Sequence, residues 1–305
     1  MTRAGGKGHT DTMDYLLHVM ILALIYSIFA MSLNLELGYA GLYNFGHVAF
    51  FGIGAYVSAL LSHAGVPVSA AMICAMAAAG IAGALLAVPA LRVSGDYFGI
   101  ATLVFAEMFR LVCLNERWLT KGPMGLPGIP RPAWITPGVE GMPAYLLFAF
   151  LAAVGTFVFI LRLSGSPFGR ALKVIREDEP MAQAFGKNIL LFKVKAIVAG
   201  SVLAGWAGTL WAHYISYISP ADFTLTETML VLLCVVLGGR GTNWGPVVGA
   251  IAVVFFGEAV RFLPIPQALT RYVAPLQGII YGSILVVIMM KMPNGLIPEY
   301  RRKST

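Results

Sequence analysis

Nine apolar runs, most of them close to twenty residues long and nearly free of charge, follow one another along this chain. A helix gains about 1.5 Å per residue, so roughly 20 apolar residues cover the ~30 Å hydrocarbon core of a bilayer. On that ruler the runs lie near residues 15–34, 47–62, 68–89, 97–114, 144–162, 195–214, 224–238, 246–263 and 275–291. A soluble fold has nowhere to place so much continuous apolar surface. Composition agrees: of the 305 residues, 58% are hydrophobic and 11% charged, against about 25% charged in an ordinary soluble domain. The sequence therefore predicts an all-α polytopic transmembrane bundle of about 8–10 spans, forming one domain over residues 1–305.

Two of the runs, 47–62 and 224–238, are short and adjoin glycine-rich turns, the pattern of broken or re-entrant helices that line a cavity. In GYAGLYNFGHVAFFGIGAYVSALL, residues 38–61, glycines at 38, 41, 46, 52 and 54 weaken the helix, each costing up to about 1 kcal/mol relative to alanine. Asn44 and His47 are polar groups beside that weakened backbone. They are candidates for lining a solute path; the competing reading is close helix packing with both side chains satisfied by neighbours. An internal echo accompanies this segment. Leu37-Gly38-Tyr39-Ala40-Gly41 with Asn44-Phe45-Gly46 resembles Leu237-Gly238-Gly239-Arg240-Gly241 with Asn243-Trp244-Gly245. Glu107-x-x-Arg110 likewise echoes Glu258-x-x-Arg261, at a different offset. Transporters commonly hold their solute where such repeats meet.

Charge sets the orientation. The segment Arg162–Lys195 and the C-terminal tail from Lys291 are rich in Lys and Arg and are separated by four spans, so they share a side, and cytoplasmic segments retain positive charge. Alternating from there puts 13 of the 21 Lys and Arg inside and 6 outside, with Arg110 and Arg261 within spans. Strict alternation places the N-terminus outside; re-entry of the 36–62 region would move it inside. The net charge of +7 is thus a membrane-sidedness signal, not a nucleic-acid footprint.

The cytoplasmic loop, residues 163–194, is too polar to span and too long for a turn. Arg170, Lys173 and Arg176 recur every three residues and form one basic helix face. Glu177, Asp178 and Glu179 before Pro180 suit the first turn of a second helix, where acidic side chains complement the dipole and proline lacks only a donor that would be unused. Met181, Ala182, Ala184 and Phe185 then form a small apolar surface, and Gly186 stops the helix. Such a pair of short helices is either a solvated connector or a docking element; the unburied apolar residues favour docking.

Glu107 with Arg110 and Glu258 with Arg261 lie one turn apart inside predicted spans, which fits mutual ion pairs or snorkelling better than a substrate site. Asp96 and Glu227 sit at span ends. Cys74, Cys113 and Cys234 read as small buried hydrophobes. The chain has no phosphate-binding G-x-x-x-x-G-K-[ST] loop, and its five histidines have neither metal-ligand nor triad spacing. The expectation is a transport protein, not an enzyme, that binds no cofactor or metal itself.

At these residues the chain resembles the permeases of branched-chain amino acid ABC importers, the LivM type more than its LivH partner type. The resemblance runs from about residue 15 to 298. Six segments carry it in order: GLYNFGHVAFFGIGAY (41–56), GDYFGIATLVFAE (95–107), TKGPMGL (120–126), GRALKVIREDEPMAQAFGKN (169–188), HYISYISP (213–220) and LGGRGTNWGPVVG (237–249). The resemblance implies a multi-pass protein of the bacterial inner membrane within a five-part machine. Its partners would be a second permease of the LivH type, two ATPase subunits that hold ATP and Mg, and a periplasmic solute-binding protein. Glu179-x-x-Ala182-x-x-x-Gly186 resembles a divergent form of the family's ATPase-docking motif. The ATPase-coupling residues it implies are Arg170, Lys173, Arg176, Glu177, Asp178, Glu179, Ala182 and Gly186. The expected solute is a branched-chain or related amino acid; urea, short amides and aromatic carboxylates are other solutes of such importers. The alternative is a self-sufficient secondary transporter or channel, which would place ionisable groups mid-membrane for ion coupling. A membrane-embedded enzyme lacks any catalytic constellation here.

Overall fold

The protein is described by a computed structural model covering residues 5–91, 96–135, 141–261, 279, 283, 286, 287, 290, 291 and 295–298, with residues 5–12, Asp96 and 259–261 as backbone only. The predicted ninth span, 275–291, thus lies largely outside the described residues. Among the described residues six helices are long and apolar enough to cross a membrane, and two shorter apolar helices accompany them.

The first helix, α1 (Gly5–Asn34), does not end at the predicted boundary but continues as a π-helical turn, Leu35–Tyr39. After a short loop come α2 (His47–His63), α3 (Val68–Ala90) and α4 (Asp96–Asn115), then a brief α5 (Arg117–Thr120). The second half comprises α6 (Met142–Gly165), the short pair α7 (Pro167–Glu177) and α8 (Glu179–Ala184), then α9 (Ile189–Ile215), α10 (Leu225–Gly238) and α11 (Gly245–Arg261). Two-residue strands β1 (Leu126–Pro127) and β2 (Tyr217–Ile218) pair antiparallel and tie the α5–α6 connection to the end of α9.

Side-chain contacts fix the direction of each helix. The α7–α8 elbow lies against the C-terminal end of α1, where Lys173 Nζ sits 5.2 Å from the centre of the Tyr39 ring. The start of α1 is therefore on the side opposite the elbow. α2 begins deep in the bundle: His47 stacks on Phe29 and bonds to Ser32, which are roughly 10–15 Å along the helix from Tyr39. It then runs away from the elbow, reaching His213 near the far end of α9 through Ser58. The loop after α1 thus re-enters, yet α2 still exits on the far side, so the start of α1 lies opposite the elbow, the relation that strict alternation gives.

α9 makes the inverse excursion. It leaves the elbow, ends at Ser216 in the left-handed region, and the chain turns back inward. Phe223 ends up buried among Phe51, Tyr56, Phe109 and Trp211. Glu227, in the first turn of α10, accepts a hydrogen bond of 2.8 Å from Tyr26, near the middle of the apolar stretch of α1. α10 therefore starts mid-bilayer and runs to the elbow side. Two half-depth helices entering from opposite sides make an inverted arrangement. It pairs residues 40–46 with 216–224, not with the 237–245 segment that echoes them in sequence; that segment lies beside 34–43 on the same side. There Asn34 accepts from the Gly241 amide at 2.9 Å and donates to the Thr242 carbonyl at 2.9 Å.

α2, α3 and α9 form the most closely packed layer, and glycine permits it. A Cβ at Gly54 would lie 2.2 Å from the Gly205 carbonyl oxygen, and one at Gly205 would lie 2.5 Å from Ala79. Without a hydrophobic driving force between helices in lipid, such close backbone contact is what holds them together. Gly54→Leu is expected to abolish the monodisperse detergent-solubilised fraction on size-exclusion chromatography. Gly155→Ala, where an added Cβ meets nothing, is expected to leave that fraction unchanged.

Candidate functional site

The site centres on the break between α1 and α2. Glu36, in the π turn, is fully buried, as are His47, Ser32 and Asn44. Asn44 Nδ2 donates to Glu36 Oε2 at 2.7 Å, while its own Oδ1 accepts from the Gly46 amide at 2.9 Å. The Leu42 amide donates to the Glu36 carbonyl at 3.0 Å. One acidic residue thus receives the returning loop through both its backbone and its side chain. α9 can lie against it because residue 200 is glycine: a Cβ there would sit 2.3 Å from Glu36 Oε1.

Donor counting constrains the hydrogen bonds around His47. The Ser32 hydroxyl donates to the Phe29 carbonyl at 2.6 Å, so its 2.8 Å contact with His47 Nε2 requires that nitrogen to carry hydrogen. His47 Nδ1 then faces Glu36 Oε1 at 3.3 Å. Neither of these two atoms has another hydrogen-bond partner among the described residues. His213 differs. Its Nδ1 donates to the Pro130 carbonyl, which leaves Nε2 to accept from Ser58 at 2.7 Å, as a neutral ring.

Sequence reasoning picked out Asn44 and His47 but missed Glu36, because the first span was ended at Asn34. The missed signal is a carboxylate within the apolar run Leu33–Tyr39. Asn44 and His47 face protein in this structure rather than open space. The few ionisable groups expected mid-membrane are also more numerous than the sequence suggested, since Glu36 and Glu227 join His47 at depth. A groove of about 470 Å³ between α3, α6 and α9 is lined by apolar residues such as Met76, Phe159, Val202 and Trp206; it does not reach this cluster.

The elbow is built as two capped helices. Ser166 caps α7 by accepting from the Gly169 amide, Asp178 caps α8 by accepting from the Met181 amide at 2.9 Å, and Asn188 caps α9. Gly186, at φ +70°, closes α8, with the Lys187 amide donating to the Ala182 carbonyl at 3.1 Å. Leu172 and Ile175 face the bundle, and Ala182, only 1% exposed, packs with Ile175 and Ile189. Ala182 is therefore a support within the elbow and not part of its free surface. That surface is made by Met181, Ala184 and Phe185, the last 73% exposed. Glu177, Asp178 and Glu179 are exposed beside it, and Glu179 accepts from Lys193 at 2.5 Å.

The predicted basic face splits. Arg170 turns back to the Gly165 carbonyl at 2.7 Å. Lys173 lies over Tyr39. Arg176, with its side chain 17% exposed, donates to the Gly38 carbonyl at the end of the π turn and pairs with Glu177 at 2.9 Å. The elbow thus grips the break two residues from Glu36. The neighbouring turn is held too, since Tyr39 and Ser164 both donate to Asn243 Oδ1.

Of the intramembrane pairs, Arg110 Nε donates to Glu107 Oε2 at 2.9 Å. Glu258 accepts from Tyr15 at 2.6 Å, and the side chain of Arg261 lies outside the described residues. Cys113 and Cys234 are buried, but Cys74 is exposed, contrary to the sequence reading: it lies on the outward face of α3. Among the described residues no three His, Cys, Asp or Glu side chains converge as a metal site.

Comparison with known proteins bears on this geometry. A profile of the family described as branched-chain amino acid transport system / permease component matches residues 15–289. The chain is 33% identical to the high-affinity branched-chain amino acid transport system permease protein LivM of Escherichia coli K12, over 93% of this chain and 70% of that protein. It is 28% identical to a probable LivM permease of Methanocaldococcus jannaschii, over 90% and 91% of the two chains. It is also 24% identical to LivH, a permease protein of the corresponding Escherichia coli K12 system, over 91% and 93%. No solved structure matches.

Glu36 and His47 are buried against each other, and removing one member of a buried polar pair leaves the other without its partner, at a cost of about 1–3 kcal/mol or more. Glu36→Ala is therefore expected to lower the thermal unfolding midpoint in detergent strongly. The double variant Glu36→Met with His47→Leu is expected to recover part of that loss.

Proposed function

The chain belongs to the family of branched-chain amino acid transport system permease components, and we propose that its elbow is the element through which separate ATPase subunits drive it. The protein is a permease subunit and a multi-pass protein of the bacterial inner membrane. On our reading it works with a second permease of the LivH type, two ATPase subunits that bind ATP and Mg, and a periplasmic binding protein. Its solute is a branched-chain or related amino acid.

The observation that carries this reading is the two-sided elbow. One side presents Met181, Ala184 and Phe185 to solvent, with Glu177, Asp178, Glu179 and Gly186 at the rim. The other side is locked to the chain through Leu172, Ile175 and Ala182 and, via Arg176, to the Gly38 carbonyl. An apolar patch of this kind beside a membrane needs a protein to cover it. A pull on it reaches the α1 break through Arg176 and Lys173. The elbow must meet the ATPase differently in its two states for ATP to shift the permease between inward-open and outward-open forms. Asn44 and His47 would face the path in the form in which the break opens.

A self-sufficient ion-coupled carrier would draw on the buried Glu36–His47 pair. That pair is enclosed by protein and has no solvent exposure, which favours a structural hold over ion exchange.

The test is ATP-driven leucine uptake in liposomes holding the assembled transporter. Phe185→Glu places a charge on the patch without touching the bundle. It is expected to lower uptake at least about tenfold, the equivalent of roughly 1.4 kcal/mol of lost docking, while the chain still inserts in the membrane. Unchanged uptake would refute docking through this patch.

A further inference from the structure

Near the middle of α4 the protein presents an ion pair on a surface that its own described helices leave uncovered. α4 has 20 residues; Glu107 lies within about two residues of its midpoint and Arg110 one turn nearer the outer end. The two side chains are 49% and 27% exposed. Leu103, Val104, Met108 and Leu111 around them are exposed as well. The other outward-facing helices differ. α3 exposes Ile73, Ile81 and Leu85 and has no charged residue, and α6 carries only Arg162, at its elbow end. Those faces suit acyl chains. A carboxylate and a guanidinium near the bilayer centre do not, and charged groups at that depth face protein or a water-filled cavity.

We propose that the Glu107–Arg110 pair is a solute-handling site that receives the zwitterionic head of an amino acid. It would lie in a watery seam between α4 and a second permease of the same fold. The proposal rests on the importer reading above. The Escherichia coli system has two permease proteins, both similar to this chain over nine-tenths of its length, so a partner of like shape is the fitting cover for this face.

The chemistry suits the ligand. A free amino acid carries an ammonium and a carboxylate on one carbon. Glu107 accepts hydrogen bonds from the ammonium, and the Arg110 fork takes the carboxylate in two parallel bonds. Without solute the two side chains satisfy each other, with Arg110 Nε donating to Glu107 at 2.9 Å. Solute entry therefore exchanges one ion pair for two of the same kind, and no charge is left unpaired at any stage. Such an exchange holds the solute weakly, as a path requires if the solute is to leave again. The branched apolar side chain of the solute meets Leu103, Leu111 and their neighbours.

Two experiments on the assembled transporter test this. In a background with Cys74, Cys113 and Cys234 replaced by alanine, Glu107→Cys is expected to react with a charged, water-soluble thiol reagent at least about tenfold faster than Ile81→Cys on the outward face of α3. Equal, slow reaction at both positions overturns the watery seam. The double variant Glu107→Leu with Arg110→Leu makes the face wholly apolar. If the pair merely faces lipid, this variant assembles and transports at least as well as the parent. If the pair handles solute, leucine uptake falls at least about tenfold while the complex still assembles and hydrolyses ATP. Normal uptake by the double variant overturns this proposal alone; no amino acid uptake by the unsubstituted complex overturns the importer reading together with it.

Discussion

A helix that stops inside a bilayer leaves backbone groups with no water to receive them, and the structure around such a break must supply every partner. In this protein a single residue does much of that. Glu36 offers its carbonyl to the Leu42 amide and one carboxylate oxygen to Asn44, and its other oxygen faces His47 at 3.3 Å, so the returning chain is received by this one residue. On the other side of the ring, His47 Nε2 lies 2.8 Å from the Ser32 hydroxyl, which is itself hydrogen-bonded to the Phe29 carbonyl. Because α2 starts from His47, its depth is set by this cluster. α9 packs over it through Gly200, so the cluster also sets the register of the most crowded helix layer.

The inverted excursion at α9–α10 is supported differently. The chain re-enters from the far side on an aromatic contact, Phe223 against Phe51, Tyr56, Phe109 and Trp211, and Glu227 reaches Tyr26 on α1. One break is held by a buried charge cluster and the other by packed rings. The two meet at α2, whose first turns carry His47, Phe50 and Phe51. Motion at the α1 break would therefore be felt at Phe223 through a helix that touches both. The elbow reaches the first of them, through the Arg176 bond to Gly38 and Lys173 over Tyr39.

Much of the architecture was legible in the residues. Long apolar runs mark the spanning helices because a bilayer demands length and apolarity together. The elbow was legible as two short helices, since Pro180 and Gly186 have local conformational meanings that tertiary packing leaves intact, whereas the capping roles of Ser166, Asp178 and Asn188 emerge only in the structure. What sequence did not reveal lies where local signals are weak or ambiguous. Glu36 lies two residues from both Asn34 and Gly38, a context that reads as a surface turn; the return of the loop buries it. Ala182 looked like part of a free apolar face because a six-residue helix has too few positions to show which side is inward. The three basic residues of α7 share a face by spacing, yet Arg176 and Lys173 reach α1 while Arg170 folds back on its own connection. The two glycine turns that echo each other in sequence also pack against each other, a contact that the echo alone did not reveal.

On the proposed reading the permease is a passive gate whose drive would enter at the elbow and pass through Arg176 and Lys173 to a break in a spanning helix. The direct measurement is paired ATP hydrolysis and leucine uptake by the reconstituted transporter carrying Arg176→Gln. This change leaves the Met181–Phe185 surface intact but removes the charged grip on the Gly38 carbonyl. The account predicts that hydrolysis continues near the parent rate while uptake per ATP consumed falls sharply. An unchanged ratio of uptake to hydrolysis would contradict it.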